Sequence, residues 1–116
     1  MEIDQMISVV RNALDDLKAR DIVELDVSEK STVTERMIIA SGTSKRHVMS
    51  LGQHLHEEVK HSGLLPLGIE GQDTGEWVLV DLGDIVVHIM MPDARSFYDL
   101  ERLWGFDEDD GEELSS

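Results

Sequence analysis

The chain has 116 residues, no cysteine and a formal net charge of −15. This length suits one domain with its own hydrophobic core, and the lack of cysteine excludes disulfides and thiol nucleophiles. The acidic balance disfavours direct binding to DNA or RNA and favours a basic protein as partner, although acidity can also serve solubility alone.

The first third of the chain predicts one helix and two strands. Apolar residues at helical spacing predict a helix over residues 3–17. Alternating apolar and polar residues predict a strand over residues 21–27, and a polar connection leads to a second strand over residues 33–40. This mixture of helices and strands indicates a mixed α/β domain.

The middle of the chain predicts a longer helix and a short strand. The Ser-Gly-Thr-Ser sequence of residues 41–44 breaks the chain and caps a helix that ends before Gly63. The inward face of this helix is predicted to consist of Val48, Leu51, Leu55 and Val59. Residues 65–71 resemble a strand interrupted by Pro66, which places it near an edge of the sheet.

Two strand-like runs over residues 77–82 and 85–91 are joined by Gly83-Asp84, which suits a two-residue hairpin turn. One face of this hairpin is aliphatic and is predicted to face the core, and it carries Val78, Val80, Leu82, Ile85, Val87 and Ile89. The other face pairs Trp77 with Met90, Leu79 with His88, and Asp81 with Val86. This mixed face suits a surface open to solvent or to a partner.

A short helix is predicted to follow Pro92, with Phe97, Leu100, Leu103 and Trp104 near one side and Tyr98 projecting elsewhere. Both tryptophans and the only tyrosine therefore belong to the last third of the chain. Aromatic side chains are the usual anchors of protein interfaces, so they predict a binding patch beside the mixed face. The alternative is that Phe97, Leu100 and Trp104 only dock the helix on the sheet.

Candidate catalytic groups are weak. Glu24 and Asp26 have the spacing of two carboxylates that could hold Mg²⁺, and residues 41–46 could receive a phosphate at a helix start. A solvent-facing strand and an ordinary helix cap explain both patterns as well. We therefore expect no catalytic residue and no cofactor.

Three histidines, His47, His54 and His61, recur on one side of the second helix. Seven residues of helix span about 10.5 Å, so the three cannot share one metal ion. His54 and Glu58 could provide two ligands, although a solvated helix face explains the pattern better. No metal site is expected.

Six motifs in order closely resemble the ribosomal silencing factor family, also called the Iojap-like proteins. They are residues 15–18 (DDLK), 40–47 (ASGTSKRH), 67–71 (LGIEG), 76–84 (EWVLVDLGD), 87–90 (VHIM) and 98–104 (YDLERLW). The resemblance predicts one domain over residues 1–104. The acidic residues 105–116 are expected to form a disordered extension.

The resemblance implies a mixed sheet flanked by helices, similar to the nucleotidyltransferase fold but without its catalytic residues. It also implies a homodimer that binds protein fourteen of the large ribosomal subunit. Bound there, the factor would block joining of the small subunit and lower translation under nutrient limitation. Two alternatives stay open: a metal-dependent nucleotidyltransferase-like enzyme and an assembly factor for the large subunit.

Carried over by motif, the contact residues implied by the resemblance are Trp77, Asp81, Leu82, His88, Met90, Tyr98, Leu100, Glu101, Leu103 and Trp104. Leu82 lies on the predicted core face and could contact a partner only if its place beside the turn lets it reach outward.

The apolar runs are far shorter than the roughly 20 residues that cross a bilayer. No signal peptide is predicted, because Glu2 and Asp4 stand where such peptides carry basic residues. We therefore expect a cytoplasmic protein with no membrane partner.

Overall fold

The computed structural model describes residues 2–103. In chain order they form α1 (Ile3–Asp16), β1 (Arg20–Asp26), β2 (Arg36–Ser41), α2 (Lys45–His61), β3 (Gly68–Glu70), β4 (Trp77–Asp81), β5 (Ile85–Met90), α3 (Pro92–Tyr98) and α4 (Leu100–Leu103). Among these described helices, none is both long enough and apolar enough to cross a membrane.

The five strands form one mixed sheet in the order β1-β2-β5-β4-β3. The central strands β2 and β5 run parallel, and each of the other neighbouring pairs is antiparallel. Parallel neighbours need a long crossover connection, which α2 provides here together with β3 and β4. The predicted mixed sheet flanked by helices is confirmed.

The main hydrophobic core lies between one face of the sheet and the helices α1 and α2. Its buried members from α2 are the four residues predicted from the sequence, Val48, Leu51, Leu55 and Val59. The aliphatic face of the β4-β5 hairpin also lies in this core, with Val78, Val80, Val87 and Ile89 fully buried. The predicted core face of the hairpin is therefore confirmed.

A second, smaller cluster lies on the opposite face of the sheet. It consists of Leu25, Val27, Met37, Ile39, Met90 and Leu100, with Val23, Trp77 and Ala94 packed against them. Strand β2 supplies residues to both clusters because it is central and both of its faces are covered. α3 and α4 reach this face through Ala94 and Leu100.

The hairpin has the predicted register. Trp77 is opposite Met90, and Val86 is opposite Asp81. The Leu82 amide donates a hydrogen bond of 2.9 Å to the Ile85 carbonyl, and Gly83 adopts a positive φ of 87° in the two-residue turn. The identity of the turn residues therefore decided which side chains lie on each face.

The second predicted strand begins later than expected, at Arg36. The Ser31 hydroxyl oxygen accepts hydrogen bonds from the amides of Val33 and Thr34, at 3.1 and 3.2 Å, and these bonds hold a turn instead of an extended strand. The third strand is short and pairs only with β4, so its predicted place at the edge is confirmed.

The helix predicted after Pro92 is interrupted. α3 ends at Tyr98, because Asp99 has a φ of 51° in the left-handed region, and α4 starts at Leu100. The expectation that Phe97, Leu100 and Leu103 share one side of a single helix is therefore wrong. The change of direction at Asp99 separates Phe97 from the two leucines.

Candidate functional site

Three aromatic side chains meet where the start of β4 lies near the end of α3, and we call Trp77, Phe97 and Tyr98 the aromatic cluster. The ring centroids of Trp77 and Tyr98 are 4.6 Å apart, and those of Phe97 and Tyr98 are 5.0 Å apart in an edge-to-face arrangement. Phe97 is 80% exposed and Tyr98 is 51% exposed, while Trp77 is half-buried. The cluster is therefore a surface of aromatic contacts that remains open to a partner.

Trp77 is fixed in the cluster by His88. The indole Nε1–H donates a hydrogen bond of 2.9 Å to Nδ1 of His88, on the opposite strand of the hairpin. The bond requires an unprotonated Nδ1, so the neutral ring carries its proton on Nε2. Burial lowers the pKa of His88 from 6.5 to about 4, which keeps the ring neutral at physiological pH.

The mixed face of the hairpin is less open than the sequence predicted. His88 is only 6% exposed and Met90 is fully buried, because α3 covers this part of the sheet. The expectation that a polar residue here indicates exposure is wrong for His88, since the indole of Trp77 gives it a hydrogen-bond partner in the interior. In the monomer, His88 and Met90 lie beneath the aromatic cluster and help to hold it in place.

α3 is held over the sheet by two polar contacts, one just before its start and one at its middle. The Met91 amide donates to the Glu76 carbonyl at 2.9 Å, which ties the start of α3 to the start of β4. Arg95 donates from Nη1 to the buried Ser41 hydroxyl at 2.9 Å. These contacts place Tyr98 above Trp77.

Other predicted contact residues divide into exposed and buried ones. Leu103 is 72% exposed, whereas Leu100 is 8% exposed and packs in the second hydrophobic cluster. The alternative reading that Phe97 docks the helix is wrong, because Ala94 and Leu100 make that contact. The side chain of Glu101 and the whole of Trp104 lie outside the described residues.

Asp81 is the last residue of β4, and Leu82 directly precedes the hairpin turn. The side-chain carboxylate of Asp81 accepts a hydrogen bond of 2.9 Å from the Gly83 amide. The backbone carbonyl of Asp81 accepts a second one of 2.8 Å from the Leu67 amide. Leu82 is 4% exposed in the main core. The expectation that Leu82 reaches outward beside the turn is therefore wrong, and Asp81 has a structural role in the turn.

The two candidate carboxylates on β1 are paired with arginines. Arg36 lies 3.7 Å from Glu24 and 3.5 Å from Asp26, and Arg11 lies 3.7 Å from Glu24. Hydrogen bonds from the hydroxyl and amide of Ser28 lower the pKa of Asp26. Positive neighbours oppose binding of a divalent cation, and no metal-binding group of three side chains occurs among residues 2–103.

Two of the histidines on α2 connect it to the end of α1. His47 accepts a hydrogen bond at Nδ1 from the Thr43 amide at 2.8 Å, so its Nε2–H donates to the Leu17 carbonyl at 2.7 Å. His54 Nε2 lies 3.0 Å from the Asp16 carboxylate. These contacts give His47 and His54 a structural role that the seven-residue spacing did not indicate.

The loop before α2 is a helix cap, as predicted. The Ser44 hydroxyl accepts the His47 amide at 3.0 Å, which satisfies one of the free N–H groups of the helix start. Ser41 is buried and bonded to Arg95. The serines of this loop therefore serve the fold, and nothing in their contacts indicates a phosphate site.

The sequence and the fold match a family of known proteins. A family model described as "Ribosomal silencing factor during starvation" matches residues 1–115. A ribosomal silencing factor RsfS from Chromobacterium violaceum is 46% identical over 105 residues, covering 90% of this chain and 86% of that relative. The chain belongs to the ribosomal silencing factor family. The resemblance found in the sequence motifs is thereby confirmed.

A solved structure and a more distant sequence relative are also similar to this silencing-factor chain. A crystal structure of a Chromobacterium violaceum protein matches it with a TM-score of 0.89 and 46% identity, covering 90% of this chain and 88% of that one. A mouse protein named "Mitochondrial assembly of ribosomal large subunit protein 1" is 36% identical over 106 residues, covering 89% of this chain and 45% of that protein. The fold is therefore that of a solved relative.

Proposed function

We propose that this silencing factor represses translation by occupying the large ribosomal subunit, through its protein fourteen, so that the small subunit cannot join. The observation that carries the proposal is the exposed aromatic cluster of Trp77, Phe97 and Tyr98, supported from below by His88. A soluble domain seldom leaves large aromatic side chains together on its surface unless a partner covers them.

The contact surface proposed here has an exposed part and a supporting part. The exposed part is Tyr98 and Leu103 with the half-buried Trp77 and Asp81, and we include Glu101 and Trp104 from the sequence motif. The supporting part is Leu82, His88, Met90 and Leu100, which are buried in the monomer. Buried residues can affect binding by fixing the positions of the exposed ones.

Steric exclusion requires binding but no chemical step. A patch of ordinary interface size buries about 800 Å² on each partner, with a few aromatic anchors contributing most of the affinity. The net charge of −15 suits a basic ribosomal protein and disfavours direct attachment to rRNA. We accordingly propose a cytoplasmic repressor that acts by occupancy, without catalysis, metal or cofactor, and that forms a homodimer when free.

A gradient with separated ribosomal subunits tests the proposal. We expect the purified factor to cosediment with the large subunit and to reduce formation of the joined ribosome when small subunits are added. Tyr98→Ala removes a half-exposed anchor and should abolish cosedimentation while the fold remains. Val33→Ala is the matched control, because Val33 is 82% exposed and lies in a turn that is far from Tyr98 in the sequence.

Trp77→Ala is expected to abolish cosedimentation as well, but it is the less clean variant, because it also leaves Nδ1 of His88 without its donor. If Tyr98→Ala cosediments as strongly as the wild-type chain, the contact surface lies elsewhere. If the wild-type chain binds large subunits but joining proceeds normally, the repression mechanism is wrong.

A second candidate is a role in assembling the large subunit, favoured by the name of the mouse relative. The two functions differ in the particle that is bound. An assembly factor would bind precursor particles in preference to mature large subunits, whereas the proposed repressor binds mature subunits. Cosedimentation with both particles, measured at equal concentration, distinguishes them.

A further inference from the structure

A cleft next to the aromatic cluster has a chemistry of its own. It encloses about 370 Å³ between the first turn of α2 and the exposed side of α3. Phe97 and Tyr98 form one wall, and the half-buried Met91 and Ala94 contribute an apolar lining. The volume lies within the range of small-ligand sites, which begins at about 300 Å³.

The polar groups around this cleft carry more negative than positive charge. Glu76 and Asp93 contribute two carboxylates, and Lys45 contributes one ammonium. Lys45 already pairs with Glu76 at 3.5 Å. An anionic ligand would therefore meet a net negative charge, whereas a cation would be attracted.

We propose that this cleft receives an arginine side chain from the basic protein that the factor binds. The aliphatic part of arginine would pack on Met91 and Ala94, and its planar guanidinium would stack on the ring of Phe97 or Tyr98. Asp93 and Glu76 are placed to accept its N–H groups. A lysine would gain less, because its compact ammonium does not stack on a ring or bind a carboxylate through two donors.

This inference rests on the proposed function and adds to it a specificity determinant. The cleft and the aromatic cluster share Phe97 and Tyr98, so one partner can cover both surfaces. The cluster would supply apolar contact area, and the cleft would select a partner that presents arginine at the correct distance. A neutral or acidic surface of similar shape would be rejected, because it would bury the Asp93 carboxylate without a positive partner.

The first test uses three short peptides and the full chain, without ribosomes. The peptides are identical except for a central arginine, lysine or citrulline, where citrulline has the shape of arginine but no charge. Amide NMR signals of Asp93 and Phe97 are followed during titration. We expect saturable shifts with the arginine peptide, at least about threefold weaker binding of the lysine peptide, and none with the citrulline peptide.

Equal shifts with arginine and citrulline, or no shifts at all, would overturn the inference. Equal binding of arginine and lysine would overturn the guanidinium assignment. The variant Phe97→Leu should weaken binding of the arginine peptide about threefold, because it keeps an apolar side chain but removes the ring. Unfolding is not expected to confuse this result, since Phe97 is 80% exposed.

The second test measures affinity for isolated large subunits at several salt concentrations. Asp93→Asn should weaken binding about fivefold at low salt and reduce the dependence on salt. Glu29→Gln, an exposed acid in the turn after β1, is the control with the same change of net charge and should bind like the wild-type chain. Equal effects of the two variants would mean that only overall charge matters and would overturn the inference.

The two tests separate the inference from the proposed function. If the wild-type chain does not bind large subunits, the proposed function fails, and the peptide titration still decides whether the cleft recognises arginine. If the wild-type chain binds large subunits but the peptides show no preference for arginine, the function stands and the inference fails.

Discussion

His88 illustrates how a polar side chain can be useful in an apolar place. Its ring lies between the sheet and α3 and accepts the indole N–H of Trp77. A leucine at this position would fill similar space but would leave that indole N–H without an acceptor in the interior, which costs about 1–3 kcal/mol. His88 therefore fixes the orientation of Trp77, on which Tyr98 rests.

The buried state of His88 predicts a pH dependence of stability. Because burial lowers its pKa from 6.5 to about 4, the folded state holds fewer protons than the unfolded chain between these values. This contribution to stability is complete above pH 6.5 and is lost as the pH falls toward 4. His88→Gln keeps an acceptor but removes the titration.

Between pH 7 and pH 5, the wild-type chain should therefore lose about 2 kcal/mol more free energy of unfolding than His88→Gln. Urea denaturation at both pH values measures the difference. Any pH dependence that does not involve His88 is common to both proteins and cancels in the comparison. Parallel losses in the two proteins would show that His88 is not kept neutral by the fold.

At the level of elements, the hairpin was predictable and the end of α3 was not. Gly83-Asp84 is a local turn signal, and the alternation of apolar residues then determines the faces of β4 and β5. Asp99 gives no comparable signal, because Asp tolerates a positive φ but also occurs within helices, so its identity alone does not end α3. The sequence therefore predicted an aromatic patch with Trp77 and Tyr98, but it left open whether Phe97 docks on the sheet, and the structure shows Phe97 exposed.

Two glycines that precede β4, Gly63 and Gly71, should differ in how much stability the protein loses when each is replaced by alanine. Gly71 and Gly63 both have a positive φ, 88° and 98°, so alanine is strained at either position by about 1 kcal/mol. Only at Gly71 would the added Cβ collide with the carbonyl oxygen of Trp77, whereas nothing lies within 4 Å at Gly63. The chain must pass close to Trp77 at this point.

We expect Gly71→Ala to lower the free energy of unfolding by about 3 kcal/mol and Gly63→Ala by about 1 kcal/mol, measured by chemical denaturation. Gly71→Ala should also weaken binding to large subunits, because relief of the collision moves Trp77. Equal losses of unfolding free energy in the two variants would mean that β4 can shift away from the added Cβ without strain.

At the scale of the whole molecule, charge and aromatic groups have separate roles. The net charge of −15 acts over long distances and affects how fast a basic partner is encountered. In the proposed complex, the aromatic cluster would act only on contact and would affect how long the complex lasts. Six acids lie between Asp107 and Glu113, outside the described residues, so their effect can be tested by truncation.

A chain that ends at Trp104 should keep its melting temperature within about 2 °C, if residues 1–104 form the domain. Its association rate with large subunits should be slower at low salt and should depend less on salt than that of the full chain. Stopped-flow kinetics at two salt concentrations measures both. An unchanged rate would indicate that the acidic segment serves only solubility, and a large loss of thermal stability would contradict the domain boundary.

The parallel pairing of β2 with β5 also has a consequence for synthesis. Thr34 donates a side-chain hydrogen bond of 3.0 Å to Asp84, which follows it by 50 positions. The centre of the sheet cannot close until β5 has left the ribosomal exit tunnel, so a partial chain has neither a finished sheet nor the aromatic side chains that follow it. Fragments released early from translation should therefore be inert toward the ribosome that made them.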